Sequence, residues 1–178
     1  MTACPPIVVL LGLRASGKTT LGRALAERLG RRFIDLDDRT RALLGDATIA
    51  DAFRRVGESG FRSAEVEALA GALDESGIVL ALGGGTPTAP GAAAMLRKAQ
   101  AGARAAVVYL RCDPELLRGR LRDAGGAGAN RPSLTGADPL DEIEQVHAAR
   151  DPVYRALADV VLEGEQSAPS IERALASR

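Results

Sequence analysis

Gly12-Leu13-Arg14-Ala15-Ser16-Gly17-Lys18-Thr19 sets two glycines, a lysine and a hydroxyl in the order G-x-x-x-x-G-K-[ST]. Each residue type has a chemical use at that spacing. The glycines let backbone N–H groups wrap a chain of phosphates, and Lys18 can reach the β- and γ-phosphates. The Thr19 hydroxyl can serve Mg²⁺, and a helix starting there adds partial positive charge. An ordinary strand-to-helix turn has little use for Gly-Lys-Thr without a phosphate to hold. The stretch marks a nucleotide-binding protein.

The loop is shared by GTPases, motor ATPases and small-molecule kinases, so other residues must choose between them. Asp35 and Asp37 are placed on one side of an extended segment, where one carboxylate can reach the hydration shell of Mg²⁺ and the other can take a proton from an attacking hydroxyl. A plain helix N-cap would suit Asp38 but leave Asp35 unexplained. Gly83-Gly84-Gly85 is costly in regular structure, and three glycines at a strand's end suggest close approach of a substrate to the backbone. Arg62 has Glu65 three residues on to hold its guanidinium. Arg150 precedes Asp151-Pro152, where the helix is expected to break and redirect the side chain. Two arginines opposite an aspartate suit an acceptor carrying both a carboxylate and hydroxyls. Arg131, next to Pro132 on a Gly/Ala-rich stretch, can swing onto a phosphoryl group in transfer.

These groups need a scaffold that gathers them at one edge. Ile7–Leu11 reads as a buried strand, followed by a helix over 18–29 that stops at Gly30. A short strand at Phe33–Asp35 leads into a helix to Leu44, a second helix over 48–56 closed by Gly57, and a longer one from Ser59 to near Gly77. Further strands are expected at 78–82, 105–110 and 160–162. Helices are expected at 90–101, from 113 to about 123, at 140–158 with an interruption at Pro152, and after Pro169. The segment 124–135 has no pattern that could bury a face and reads as a mobile flap. Strands alternating with helices mean a parallel sheet, and ligands bind beyond the carboxyl ends of such strands.

With 178 residues the natural count is one α/β domain, and the formal net charge of zero gives no reason to expect nucleic acid or a membrane surface as partner. No apolar run approaches the roughly 20 residues of a membrane span, and no secretory signal is read. Cys4, Cys112 and His147 show no metal or disulfide spacing. A reducing cytosol is the expected setting, and a monomer the expected assembly.

Taken together, the phosphate loop, Asp35-x-Asp37, Gly57-Glu58-x-x-Phe61-Arg62-x-x-Glu65, Gly83-Gly84-Gly85, Arg131-Pro132 and Arg150-x-Pro152-x-Tyr154 resemble the shikimate kinases, a branch of the P-loop kinases related to nucleoside-monophosphate kinases. The resemblance covers nearly the whole chain. It implies a three-layer αβα P-loop fold around a five-stranded parallel sheet of order 2-3-1-4-5. It also implies one domain over 1–178, with an acceptor-binding region at about 35–65 and a lid at about 124–135. The implied activity is phosphorylation of the 3-hydroxyl of shikimate by ATP, on the route to chorismate and the aromatic amino acids. The implied ATP-binding set is Gly12, Ala15, Ser16, Gly17, Lys18, Thr19, Thr20, Arg120 and Arg131, with Arg120 stacked on adenine. Thr19 would ligate Mg²⁺ directly and Asp35 through water. Asp37, Arg62, Gly83, Gly84, Gly85 and Arg150 would hold shikimate. Lys18, Asp37 as base and Arg131 as lid arginine would be catalytic.

The chain departs from that family in three places. Ala15 stands where glycine is usual, which requires that position to keep φ negative. The lid is longer than usual, implying slower or looser closure. Glu165-Gln166-Ser167 occupies a loop where an arginine often faces adenine. Two other functions compete: a kinase for a related hydroxy acid such as gluconate, and a non-catalytic binding module that keeps the fold.

Overall fold

The computed structural model describes residues 4–123 and 142–177. Five strands lie in one parallel sheet: β1 (Ile7–Leu11), β2 (Arg32–Asp35), β3 (Ile78–Ala81), β4 (Ala105–Arg111) and β5 (Val160–Glu163). Their order is β2-β3-β1-β4-β5, as the family resemblance implied. β1 sits at the centre, where Leu10 pairs with Ala81 on one side and Val108 on the other. All five of its residues are fully buried, which is why it reads as an unbroken apolar run rather than an alternating one.

Helices cover both faces. Val8 and Leu10 point to the layer formed by α1 (Lys18–Leu29) and α7 (Ala168–Ala176), against Leu25, Ile171 and Leu175. Ile7, Val9 and Leu11 point the other way. Their layer draws on α3 (Ile49–Leu73), α4 (Ala92–Ala101), α5 (Pro114–Asp123) and α6 (Glu142–Leu157). α2 (Leu36–Leu44) packs chiefly on α3. The period-two alternation of β1 thus splits the core into two slabs with the sheet between them.

The two helices expected on either side of Gly57 are present; α3 is the pair, joined at a sharp kink where Gly57 leaves helical geometry (φ 71°, ψ 177°). Those dihedrals are open to glycine alone. Two local expectations need correction. α3 ends at Leu73, short of Gly77. α6 runs unbroken through Pro152. The proline removes one internal hydrogen bond, but Tyr154 and Leu157 beyond it are buried on the sheet and keep the helix in place. The expected lid at 124–135, with Arg131, lies outside the described residues.

Candidate active site

The carboxyl ends of β1, β2 and β3 converge on one rim, and each sends its loop toward the same space. After β1 the chain turns through Gly12 to Gly17 and enters α1. Gly17 caps that helix in a left-handed conformation (φ 90°) and offers no side chain to its first N–H groups. Those donors are left pointing out of a helix end that carries partial positive charge, an arrangement made for an anion. A Cβ on Gly12 would run into the Ser16 side chain and lie 3.0 Å from the Leu110 carbonyl, and its φ of +156° also favours glycine. Lys18 Nζ donates to the carbonyls of Gly12 and Leu13, both at 2.8 Å, bridging the loop at its mouth.

Ala15 departs from expectation: its φ is +60°, not negative. An alanine in the left-handed region carries a local backbone cost, of the order of 1 kcal/mol. Arg120 compensates in part, since its Nη1 donates to the Ala15 carbonyl at 3.1 Å. Its Nη2 reaches Glu165 Oε1 at 3.3 Å, tying the phosphate loop to the loop that follows β5.

Asp35 and Asp37 do not share an extended segment. Asp35 is the N-cap of α2 and Asp37 lies in that helix's first turn. Asp35 Oδ1 accepts the Asp37 backbone N–H at 3.1 Å, while its Oδ2 accepts the Thr19 hydroxyl at 2.9 Å. The helix cap, which the sequence suggested would suit Asp38, is Asp35. One carboxylate both starts the helix and meets the phosphate loop, and capping aims Asp37 inward, where it is 8% exposed. Thr19 and Asp35 fit a Mg²⁺ that keeps its waters and shares phosphate oxygens. Among the described residues no cluster of three or more His, Cys, Asp or Glu could enclose a metal by itself.

At two of its three positions the triple glycine also answers to crowding within the protein. A Cβ on Gly83 would collide with Asp37 Oδ1 and lie 2.8 Å from Glu65 Oε1, and one on Gly85 would strike the Arg62 guanidinium. The protein's own polar side chains press against this backbone. Arg62 Nη1 donates to Glu65 Oε2 at 2.5 Å, and Glu65, 1% exposed, also accepts the buried Thr86 hydroxyl at 2.8 Å. A buried carboxylate doubly satisfied in this way fixes the arginine in one orientation. Arg150 Nη1 donates to the Gly84 carbonyl at 2.8 Å, and the Tyr154 hydroxyl donates to the same oxygen. Burial, partly opposed by Arg150, raises that phenol to about 12.

Two cavities meet at this rim. A nucleotide-sized one of about 550 Å³ is lined by Ala15, Ser16, Gly17, Lys18, Thr19, Thr20, Asp35, Arg120 and Gln166, among others. Its neighbour is lined by Phe53, Phe61, Arg62, Glu65, Gly84, Gly85, Glu142 and Arg150, among others. Arg14 and Asp37 border both. A model of the family described as shikimate kinase matches residues 14–177.

The chain belongs to the shikimate kinase family.

The chain is 39% identical over 168 residues to the shikimate kinase of Neisseria gonorrhoeae, covering 94% of this chain and 93% of that one. It is 42% identical over 156 residues to the shikimate kinase of Burkholderia thailandensis, covering 88% and 79%. The structure of the shikimate kinase from Acinetobacter baumannii in complex with shikimate superposes with a TM-score of 0.85 at 35% identity, over 97% of this chain and 94% of that one.

Several residues of this shikimate kinase site carried no signal of their own in the sequence. Thr86 and Glu142 are buried polar groups that nothing in their neighbourhood sets apart. Phe53, stacked on Phe61 with ring centroids 4.3 Å apart, lay unremarked in the helix expected over 48–56. Arg14 was an unassigned position within the phosphate loop, although charge at so crowded a spot was itself a hint.

Proposed function

We propose that this chain transfers the γ-phosphoryl group of ATP to the 3-hydroxyl of shikimate. The observation that carries this reading is that Asp37 borders both cavities, between a phosphate loop and a pair of arginines. ATP would lie along Gly12, Ala15, Ser16, Gly17, Lys18, Thr19 and Thr20, with the base against Arg120. Lys18 exchanges its loop carbonyls for the β- and γ-phosphates. Thr19 and Asp35 would hold Mg²⁺, which would supply charge neutralisation on the phosphates.

Shikimate occupies the second cavity. Arg62 and Arg150 take its carboxylate as forked donors, and Gly83, Gly84 and Gly85 bring backbone close to the ring. With the carboxylate anchored at that end, the hydroxyls face Asp37, which orients the attacking oxygen and accepts its proton. Arg131 belongs to the same proposal as a lid cation, as do a single catalytic domain and a monomeric assembly working in the cytoplasm. None of the helices among the described residues is long and apolar enough to cross a membrane.

An ADP-release assay with shikimate as acceptor tests the reading. ADP formation dependent on shikimate, with a phosphomonoester product by ³¹P NMR, is the expected result. Turnover on gluconate but not on shikimate would replace the acceptor. Tight shikimate binding with no ATP turnover would make the protein a binding module.

A further inference from the structure

Arg14 is the third residue of the phosphate loop, and like Asp37 it borders both cavities. The other cations of the site have protein partners: Lys18 on loop carbonyls, Arg62 on Glu65, Arg150 on the Gly84 carbonyl. Arg14 Nη1 is buried and has no hydrogen-bond partner. Ser16 Oγ, in the same loop, is likewise buried and unpartnered. Leaving a buried charged donor unmet costs on the order of 1–3 kcal/mol or more. A fold keeps such a group when another state satisfies it.

The surroundings say what would satisfy it. Burial disfavours the charged form of Arg14, and Arg150 adds repulsion, while only Glu142 counters them. An anion beside Arg14 would satisfy the buried donor and offset both its burial and the repulsion from Arg150. The junction of the cavities is where such an anion is made, because a phosphoryl group leaving the nucleotide side must cross it to reach the acceptor.

We infer that Arg14 is a catalytic residue that binds the phosphoryl oxygens during transfer and stays on the phosphate ester of the product. The inference rests on the proposed phosphoryl transfer to shikimate. In that step the acceptor oxygen forms its bond to the γ-phosphorus as the bond to the β,γ-bridging oxygen breaks. ADP leaves with the bonding electron pair, and the hydroxyl proton passes to Asp37. Negative charge on the moving group shifts toward the acceptor side, and Arg14 receives it there.

Titration calorimetry and steady-state kinetics on Arg14→Met and Arg14→Lys test this. For Arg14→Met, kcat should fall by about 10²- to 10³-fold, the range found when one preorganised donor to developing charge is removed. Affinity for shikimate 3-phosphate should drop about tenfold or more, while affinity for shikimate stays within about threefold. Arg14→Lys should recover part of the product affinity, because a point charge remains without the fork. Equal losses for shikimate and its phosphate would overturn the inference by placing Arg14 on the acid itself. An unchanged kcat would overturn it too. If Arg14→Met fails to fold by circular dichroism, Arg14→Lys decides alone: it must lower kcat while binding shikimate normally. A wild-type chain inactive on shikimate would instead defeat the functional reading, a result separable from wild-type activity that the Arg14 variants leave untouched.

Discussion

At the scale of single residues, the site divides its cations by what each one neutralises. Lys18 spans two loop carbonyls and is poised to exchange them for phosphate oxygens. Lys18→Ala should therefore lower kcat by about 10²–10³-fold and leave shikimate affinity nearly intact, measured by kinetics and calorimetry together. Arg62 and Arg150 act at the other end. Arg62→Ala or Arg150→Ala should raise KM for shikimate about 10- to 100-fold, the worth of a charge-assisted hydrogen bond, with ATP affinity unchanged. A reversed pattern would mean that the two halves of the site are assigned the wrong way round. The Arg62–Glu65 pair was legible because helical spacing makes i,i+3 neighbours meet. The crowding at Gly83 was not, because the atoms that press on it come from Asp37, Glu65 and Thr86, which only folding brings together. Asp35 was misjudged for a related reason. A capping carboxylate has a second oxygen free to serve a loop sixteen residues earlier, and nothing local in the sequence records that.

Among the elements, α3 shows how one backbone position sets a binding surface. Its first part carries Ile49 and Phe53 and its second carries Phe61, Arg62 and Glu65, all of which line the acceptor cavity. Gly57 lets the two parts meet at an angle at which Phe53 stacks on Phe61. No heavy atom lies within 4 Å of where a Cβ on Gly57 would sit. The cost of Gly57→Ala is therefore backbone strain alone, about 1–3 kcal/mol. The variant should fold with a lowered Tm and bind shikimate more weakly than wild type, while nucleotide affinity is kept. Equal shikimate affinity in the two proteins would show that the kink does not shape the cavity. The sequence marked this spot, since Gly57 separates two helical patterns, but it could not give the angle at which the two helices meet. Pro152 misled in the opposite direction. The rule that proline breaks a helix was outweighed by the burial of Tyr154 and Leu157, a tertiary effect that no local pattern contains.

For the whole molecule, α6 couples the site to the far edge of the sheet through Asp151. Arg150 and Tyr154 of this helix face the site and bind Gly84. Asp151, between them in sequence, faces the sheet and accepts the Tyr109 hydroxyl at 2.8 Å and Arg111 Nε at 2.9 Å from β4, and Arg155 Nε at 2.9 Å from its own helix. Arg155 passes the connection to Glu163 of β5 at 3.0 Å, and His147 Nε2 stands 3.9 Å from Asp151. Burial alone would raise the Asp151 carboxyl, but the hydrogen bonds from Tyr109, Arg155 and Arg111 outweigh it and hold the group down to about 2. Its folded value lies below its unfolded value of 3.8. The network therefore contributes its full stability above about pH 4 and loses it as pH falls toward 2. Asp151→Asn keeps the shape, removes the charge and leaves Arg111 and Arg155 with a weaker acceptor. At pH 7 the variant should be about 1–3 kcal/mol less stable in denaturant unfolding, and the deficit should shrink steadily between pH 4 and pH 2. A deficit that stayed constant across that range would show that Asp151 acts by packing rather than by charge, and that the far edge of the sheet holds α6 without its carboxylate.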